Sequence, residues 1–159
     1  MLARLRSWAA HVVAVSEDHS QAADAAALRA ATALLLVEAA ALDGDFDPGE
    51  EALIRSLLAE HFHITPEEAD RLLTEAEARH EDTVELYGLT RAIKDRLPPE
   101  DRVEIMEMLW QVAYADGVLH DFEASLARRV AGLLYVSDHD SGAARKRALQ
   151  RLEQNENPA

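Results

Sequence analysis

The sequence predicts an all-α fold, a compact bundle of about eight helices with an internal helix-turn-helix pseudo-repeat. Three observations carry this. No segment alternates apolar and polar residues with period two over the length of a strand. The residues are 48% hydrophobic but only 5% aromatic, so the core must come from Leu, Ala, Val and Ile, a helix-favouring mixture with few Gly and Pro. A turn reading Asp-Gly-Asp-Phe-Asp-Pro-Gly-Glu at 43–50 returns in altered form at 116–123.

Leu2, Leu5, Trp8, Ala9, Val12 and Val13 share a stripe at helical spacing and predict an N-terminal amphipathic helix within residues 1–18. Docking on the domain's own core is the ordinary role for such a helix. Its Arg4 and Arg6 meet no acid before Glu17, so a peripheral membrane or partner contact through residues 1–15 is the alternative. From about Gln21 to Leu42 an Ala/Leu-rich stretch without Gly or Pro, with Leu28, Leu35 and Leu42 seven apart, predicts a long helix buried near its end. Gly44 is placed to stop it. Asp47, Pro48 and Glu50 then give a cap, a first helical position and capping-box spacing for a helix burying Leu53, Ile54, Leu57 and Leu58.

Thr65-Pro66-Glu67-Glu68 repeats that start signal for a helix to about His80 that buries Leu72 and Leu73. A further helix from about Thr83 to Arg96 turns Val84, Tyr87, Ile93 and Leu97 inward. Pro98-Pro99 opens the next, through Val103, Met106, Leu109, Trp110 and Ala113 to Ala115, and Gly117 ends it. Asp121 to about Leu134 follows, with Leu126, Val130 and Leu133 on one side. Ser137 begins the last helix, whose Arg145, Lys146, Arg147 and Arg151 read as a solvated face, with an acidic partner as the lesser alternative. The domain spans residues 19–153, with repeat units at about 28–80 and 99–153. The tail, 154–159, is expected to be disordered.

Thirty acidic against sixteen basic residues leave a formal charge of −14, which disfavours nucleic acid and anionic lipid and favours cations or a basic protein partner. The absence of Cys excludes disulfides, thiolate metal sites and cysteine nucleophiles. The most apolar stretch, Ala33 to Ala39, is too short to cross a bilayer, and a cytoplasmic location is expected. There is no Gly-rich phosphate loop, nucleophile elbow or HExxH motif, so no catalytic residue is assigned and a non-enzymatic role is expected.

The repeated turns hold the carboxylates that helix architecture does not fully explain. Helix termination accounts for Gly44 and Gly117, and capping for Glu50 and Glu123. Asp43 and Asp116 sit at the negative pole of their helices, where the macrodipole costs about 0.3–1 kcal/mol unless a loop amide or a cation offsets it. Asp43, Asp45, Asp47 and Glu50, with Asp116, Asp121 and Glu123, form an oxygen-rich set suited to Mg²⁺, Ca²⁺ or Mn²⁺. Capping and solvation are the competing explanation. The first turn is no EF-hand, because Pro48 and Ile54 occupy the positions that loop gives to Gly and Glu. Glu38 lies off the face of Asp43 on a straight helix, and its repeat counterpart is Gln111.

Leu35-Leu36-Val37-Glu38 leading to Asp43-Gly44 and Glu50, the run from Leu109 to Gly117, and Glu123 leading to Arg128-Arg129-Val130-Ala131 together resemble the tellurite-resistance protein B (TerB-like) family. The resemblance covers about Leu28 to Asp140. It implies a helical domain with a pseudo-repeat and a divalent metal held by acidic residues at the helix junctions, which here are Glu38, Asp43, Glu50, Asp116 and Glu123. A stress-response sensor or scaffold is the role that fits. A protein-protein interaction module without metal is the alternative.

Overall fold

Between Leu2 and Leu42 there is neither glycine nor proline, and the computed structural model runs this stretch as one helix, α1 (Leu2–Ala40), closed by a 3-10 turn at Ala41–Asp43. The structure describes residues 2–43, 46–80 and 85–156, with side chains described for 20–42, 46–80 and 85–155. The two helices expected before residue 42 are thus one element of 39 residues, about 58 Å long at 1.5 Å per residue. The polar stretch Ser16 to Gln21 does not interrupt it, since each such residue costs at most about 0.7 kcal/mol in a helix. Seven helices therefore stand where the sequence predicts about eight, and no strand occurs among the described residues. The apolar stripe expected from Leu2 to Val13 lies outside the described side chains.

The remaining elements begin where the sequence signals them. α2 (Pro48–Phe62) has Pro48 at its first position, and the Asp47 carboxylate accepts from the Glu50 N–H at 2.8 Å. α3 (Pro66–His80) is capped by Thr65, whose hydroxyl accepts from the Glu68 N–H at 3.1 Å. α4 is short (Leu86–Lys94), α5 starts at Pro99 and runs to Ala113, α6 spans Asp121–Leu133 and α7 spans Asp138–Glu156. Gly117 follows α5 with φ +85°, a conformation that L side chains rarely adopt. Gly44, expected to play the same part after α1, lies outside the described residues. So do Thr83 and Val84.

Two helices form the centre. α1 is buried without a break from Ala31 to Val37, and α5 is buried on all sides from Ile105 to Ala113. α1 packs on α2, α3, α4 and α5, while α5 packs on α7, α6 and α2. The repeat counterparts Leu36 and Leu109 are each 1% exposed or less, four residues before the C-terminal ends of these two helices.

The duplication is written in the backbone as well. After α2, His63 takes a left-handed conformation (φ 53°) and the Ile64 N–H reaches back to the Ala59 carbonyl at 3.1 Å. After α6, Tyr135 does the same (φ 56°), with the Val136 N–H on the Ala131 carbonyl at 2.9 Å. Each is a Schellman-type closure that leaves one apolar residue, Ile64 or Val136, folded against the core. The hydroxyls of Thr65 and Ser137 then cap the next helix, accepting from the N–H groups of Glu68 and Asp140 at 3.1 Å.

Two sequence expectations fail locally. Tyr87 points outward at 62% exposed, because α4 turns Thr90 and Ile93 to the core and Tyr87 sits on the other side of so short a helix. The Thr90 hydroxyl hides its polarity by donating to the carbonyls of Leu86 and Tyr87. Leu42 is 40% exposed, since the 3-10 turn advances about 120° per residue and carries it off the stripe of Leu28 and Leu35. α7 ends at Glu156, and the rest of the tail, 157–159, lies outside the described residues.

Candidate functional site

Acids from the two repeated turns line one cleft. The ends of α1 and α5 lie beside the starts of α2 and α6, and Glu50 from the first unit lines one small cleft together with Asp116 and Glu123 from the second. Its walls are Ala39, Ala40, Val112, Ala113 and Ala115, whose small side chains let the helix ends approach closely. The space is about 10 Å³, comparable to the volume that admits one water molecule. An adjoining open groove of about 420 Å³ is shared by Asp47, Glu50 and Asp116, with Leu152 and Asn155 of α7 on its far side.

Asp116 is held in place by its own turn. The Val118 N–H donates to Oδ1 at 3.0 Å, and the His120 ring nitrogen stands 3.2 Å from Oδ2. The Val118 amide, aided by His120, holds the Asp116 carboxyl below its ordinary value against a smaller opposing effect of burial. The charge that the α5 macrodipole disfavours is thus met first by a loop amide. Glu123 is 8% exposed, a buried acid in the first turn of α6, where the helix N-terminus favours negative charge. Asp47 is committed to capping α2.

The other expected site residues stand elsewhere or are not described. Glu38 faces α3, with one carboxylate oxygen 2.6 Å from His80 Nδ1, and lines a separate cleft with Leu42, Leu86, Leu126 and Arg129. Asp121 is exposed at the start of α6 and lines neither junction cleft. Asp45, and the side chain of Asp43, lie outside the described residues. Among the described residues no three acidic or histidine side chains come close enough together to hold a metal ion as they stand. The donors are of the right kind for a hard cation, but closing a coordination shell requires Asp116 or Glu50 to move inward, or a further ligand from the turn.

Sequence reasoning missed a second polar centre. Glu107, on the all-round-buried α5, has a side chain only 10% exposed and is gripped from α7 by Arg147 Nε at 3.1 Å and Arg151 Nε at 2.8 Å. Arg145 lies over the rings of Trp110 and Tyr114, at 5.6 and 5.4 Å from their centroids. The basic cluster of α7 is therefore a docking face for α5 and not a merely solvated one. The signal available in the sequence was an acid between Met106 and Met108, opposed by two arginines spaced one helical turn apart. Glu107 and Arg151 also line the cleft between α2, α5 and α7, with His61, His63 and Gln111.

No helix among the described residues is long and apolar enough to cross a membrane. No curated protein and no solved structure matches the chain. The family model described as tellurite resistance protein TerB matches residues 29–146, from the buried C-terminal part of α1 to the middle of α7 and across both repeated turns. With most of its length covered by that match and an all-α fold among the described residues, the chain belongs to the TerB family.

Proposed function

We propose that this TerB domain is a non-enzymatic binding module that takes one divalent, oxygen-preferring cation at the junction of its two repeats, with Glu50, Asp116 and Glu123 as ligands. The observation that carries the reading is the convergence of carboxylates from both turns on one cleft. Three acids there attract a cation strongly in a protein of net charge −14. The two units contribute unequally to a single site, so binding would tie the end of α5 to the start of α2 and serve a sensor or scaffold. Asp43, whose position in the turn after α1 mirrors that of Asp116 after α5, is the natural additional ligand.

Calorimetry and thermal unfolding with Ca²⁺, Mg²⁺ and Mn²⁺ test the proposal. Cation at a hundredfold excess over its dissociation constant should stabilise the fold by about 2.7 kcal/mol. Glu50→Gln and Asp116→Asn should remove that gain. The Asn variant keeps an oxygen for the Val118 amide but loses the charge that this amide and His120 favour, so its metal-free stability should fall slightly at neutral pH, and the gain from cation is compared within each variant. No heat and no thermal shift at millimolar cation would sink the proposal.

The second reading is a protein-interaction module whose acidic turns are caps. It is favoured by the hydrogen bonds that already occupy Asp47 and Asp116, and by the exposed Val118 and Phe122 in and after the α5–α6 turn. Under it, partner capture is unchanged by chelator and lost with Val118→Ser and Phe122→Ser.

A further inference from the structure

The cleft between α2, α5 and α7 has about 300 Å³ of space, the lower end of the range for small-molecule sites. It lies apart from the junction carboxylates, which line none of it. Leu57 and Met108 give it an apolar wall. Gln111 reaches it from the buried face of α5. That residue is only 4% exposed, and its amide makes no hydrogen bond to the described residues, so both a donor and an acceptor are presented to whatever enters.

The charges decide what kind of ligand. Arg151 is already spent on Glu107, at 2.8 Å, and on Glu60, at 3.6 Å. Arg147 completes the neutralisation of Glu107. Burial pushes the His61 ring below its ordinary value, which leaves it uncharged at neutral pH and unable to neutralise Glu104, 3.7 Å away. An anion entering here finds no uncommitted positive group in the arginine pair or in His61. A cation finds Glu104 at the mouth, opposed only by the His61 ring, and the Gln111 side-chain amide at the wall.

We infer that this cleft binds a small organic cation, an ammonium or guanidinium on a short apolar stem, with the stem along Leu57 and Met108 and the charged head between Glu104 and Gln111. The same chemistry is offered by a free amine and by a Lys or Arg side chain of a protein partner.

Three probes of one size isolate the charge: n-butylammonium, n-butanol and butyrate, each titrated into the full chain and followed by the NMR signals of the Met108 methyl and the Gln111 side-chain amide. The expected result is a saturable millimolar response to n-butylammonium with much weaker responses to the other two. Glu104→Gln, at an exposed position that leaves the core intact, should weaken it by about 2- to 5-fold, as for a partly exposed ion pair. Gln111→Leu should abolish the response at Met108. N-acetyl-lysine methylamide binding more tightly than n-butylammonium assigns the cation to a partner's side chain, and the reverse order assigns it to a free amine. Preference for butyrate, equal binding of n-butanol, or no saturable shift with n-butylammonium overturns the inference.

Discussion

Glu107 shows how a single buried charge constrains its neighbours. Two arginines from α7 hold it, and removing both leaves a carboxylate 10% exposed without its counter-charge. Arg147→Ala with Arg151→Ala should therefore lower stability by about 3 kcal/mol, and adding Glu107→Gln should restore part of the loss, as read from urea midpoints. Titration gives a second handle. His61 is held low by burial, so the unfolded chain takes up its proton first: stability should begin to fall as pH drops below 6.5, and His61→Gln should remove that component. Glu77 behaves oppositely. Burial, and then the neighbouring Glu51, raise its carboxyl above 4.5, so its contribution is present at low pH and lost as pH rises through the raised value. Glu77→Gln should accordingly stabilise the protein at neutral pH and change little near pH 4, measured by thermal unfolding at both.

At the scale of elements, the helix starts were legible because capping is local chemistry. Asp47-Pro48, Thr65-Pro66, Pro98-Pro99 and Ser137 each stand at the boundary that their side chains signal. The ends near His80, Arg96, Ala115 and Leu134 came within two residues, but the way α2 and α6 close did not show, because His63 and Tyr135 take left-handed turns that sequence rules reserve for Gly or Asn. The core tolerates this since Ile64 and Val136 each gain a place against it. Replacement by glycine should relieve the strain. His63→Gly should raise stability by about 0.5–1 kcal/mol, and Tyr135→Gly by less, since Lys94 lies 4.4 Å over the Tyr135 ring and that contact is lost. Thermal unfolding of the two variants checks both size and order. The fusion of the first two expected helices was illegible for the opposite reason: Ser16 to Gln21 is polar enough to suggest a break but contains nothing that forces one.

For the whole molecule, the repeat visible in the sequence became two central helices, α1 and α5, with matched closures after α2 and α6. The gathering of Glu50, Asp116 and Glu123 on one cleft could not be read from their spacing, because it depends on how the two units pack on each other. Spacing also grouped Asp121 with them, and the family resemblance added Glu38, whereas packing leaves Asp121 exposed and sends Glu38 to His80. The described core begins near Leu28, and Ser20 to Asp24 are exposed along α1. Deleting residues 1–19 decides between the two roles expected of the first stretch: loss of cooperative unfolding by circular dichroism assigns it to the core, and an unchanged melting temperature assigns it to a partner or a membrane surface.

The seat of Trp110 makes the protein its own optical gauge. The indole is 6% exposed, donates to the Ser141 hydroxyl at 3.2 Å and lies under the Arg145 guanidinium, at the seam of α5 and α7 and one helical turn before the Tyr114 that leads into Asp116. With Trp8, the other tryptophan, replaced by Phe, emission reports this seam alone. A ligand drawing Asp116 inward would change the colour or intensity of that light before any helix melts.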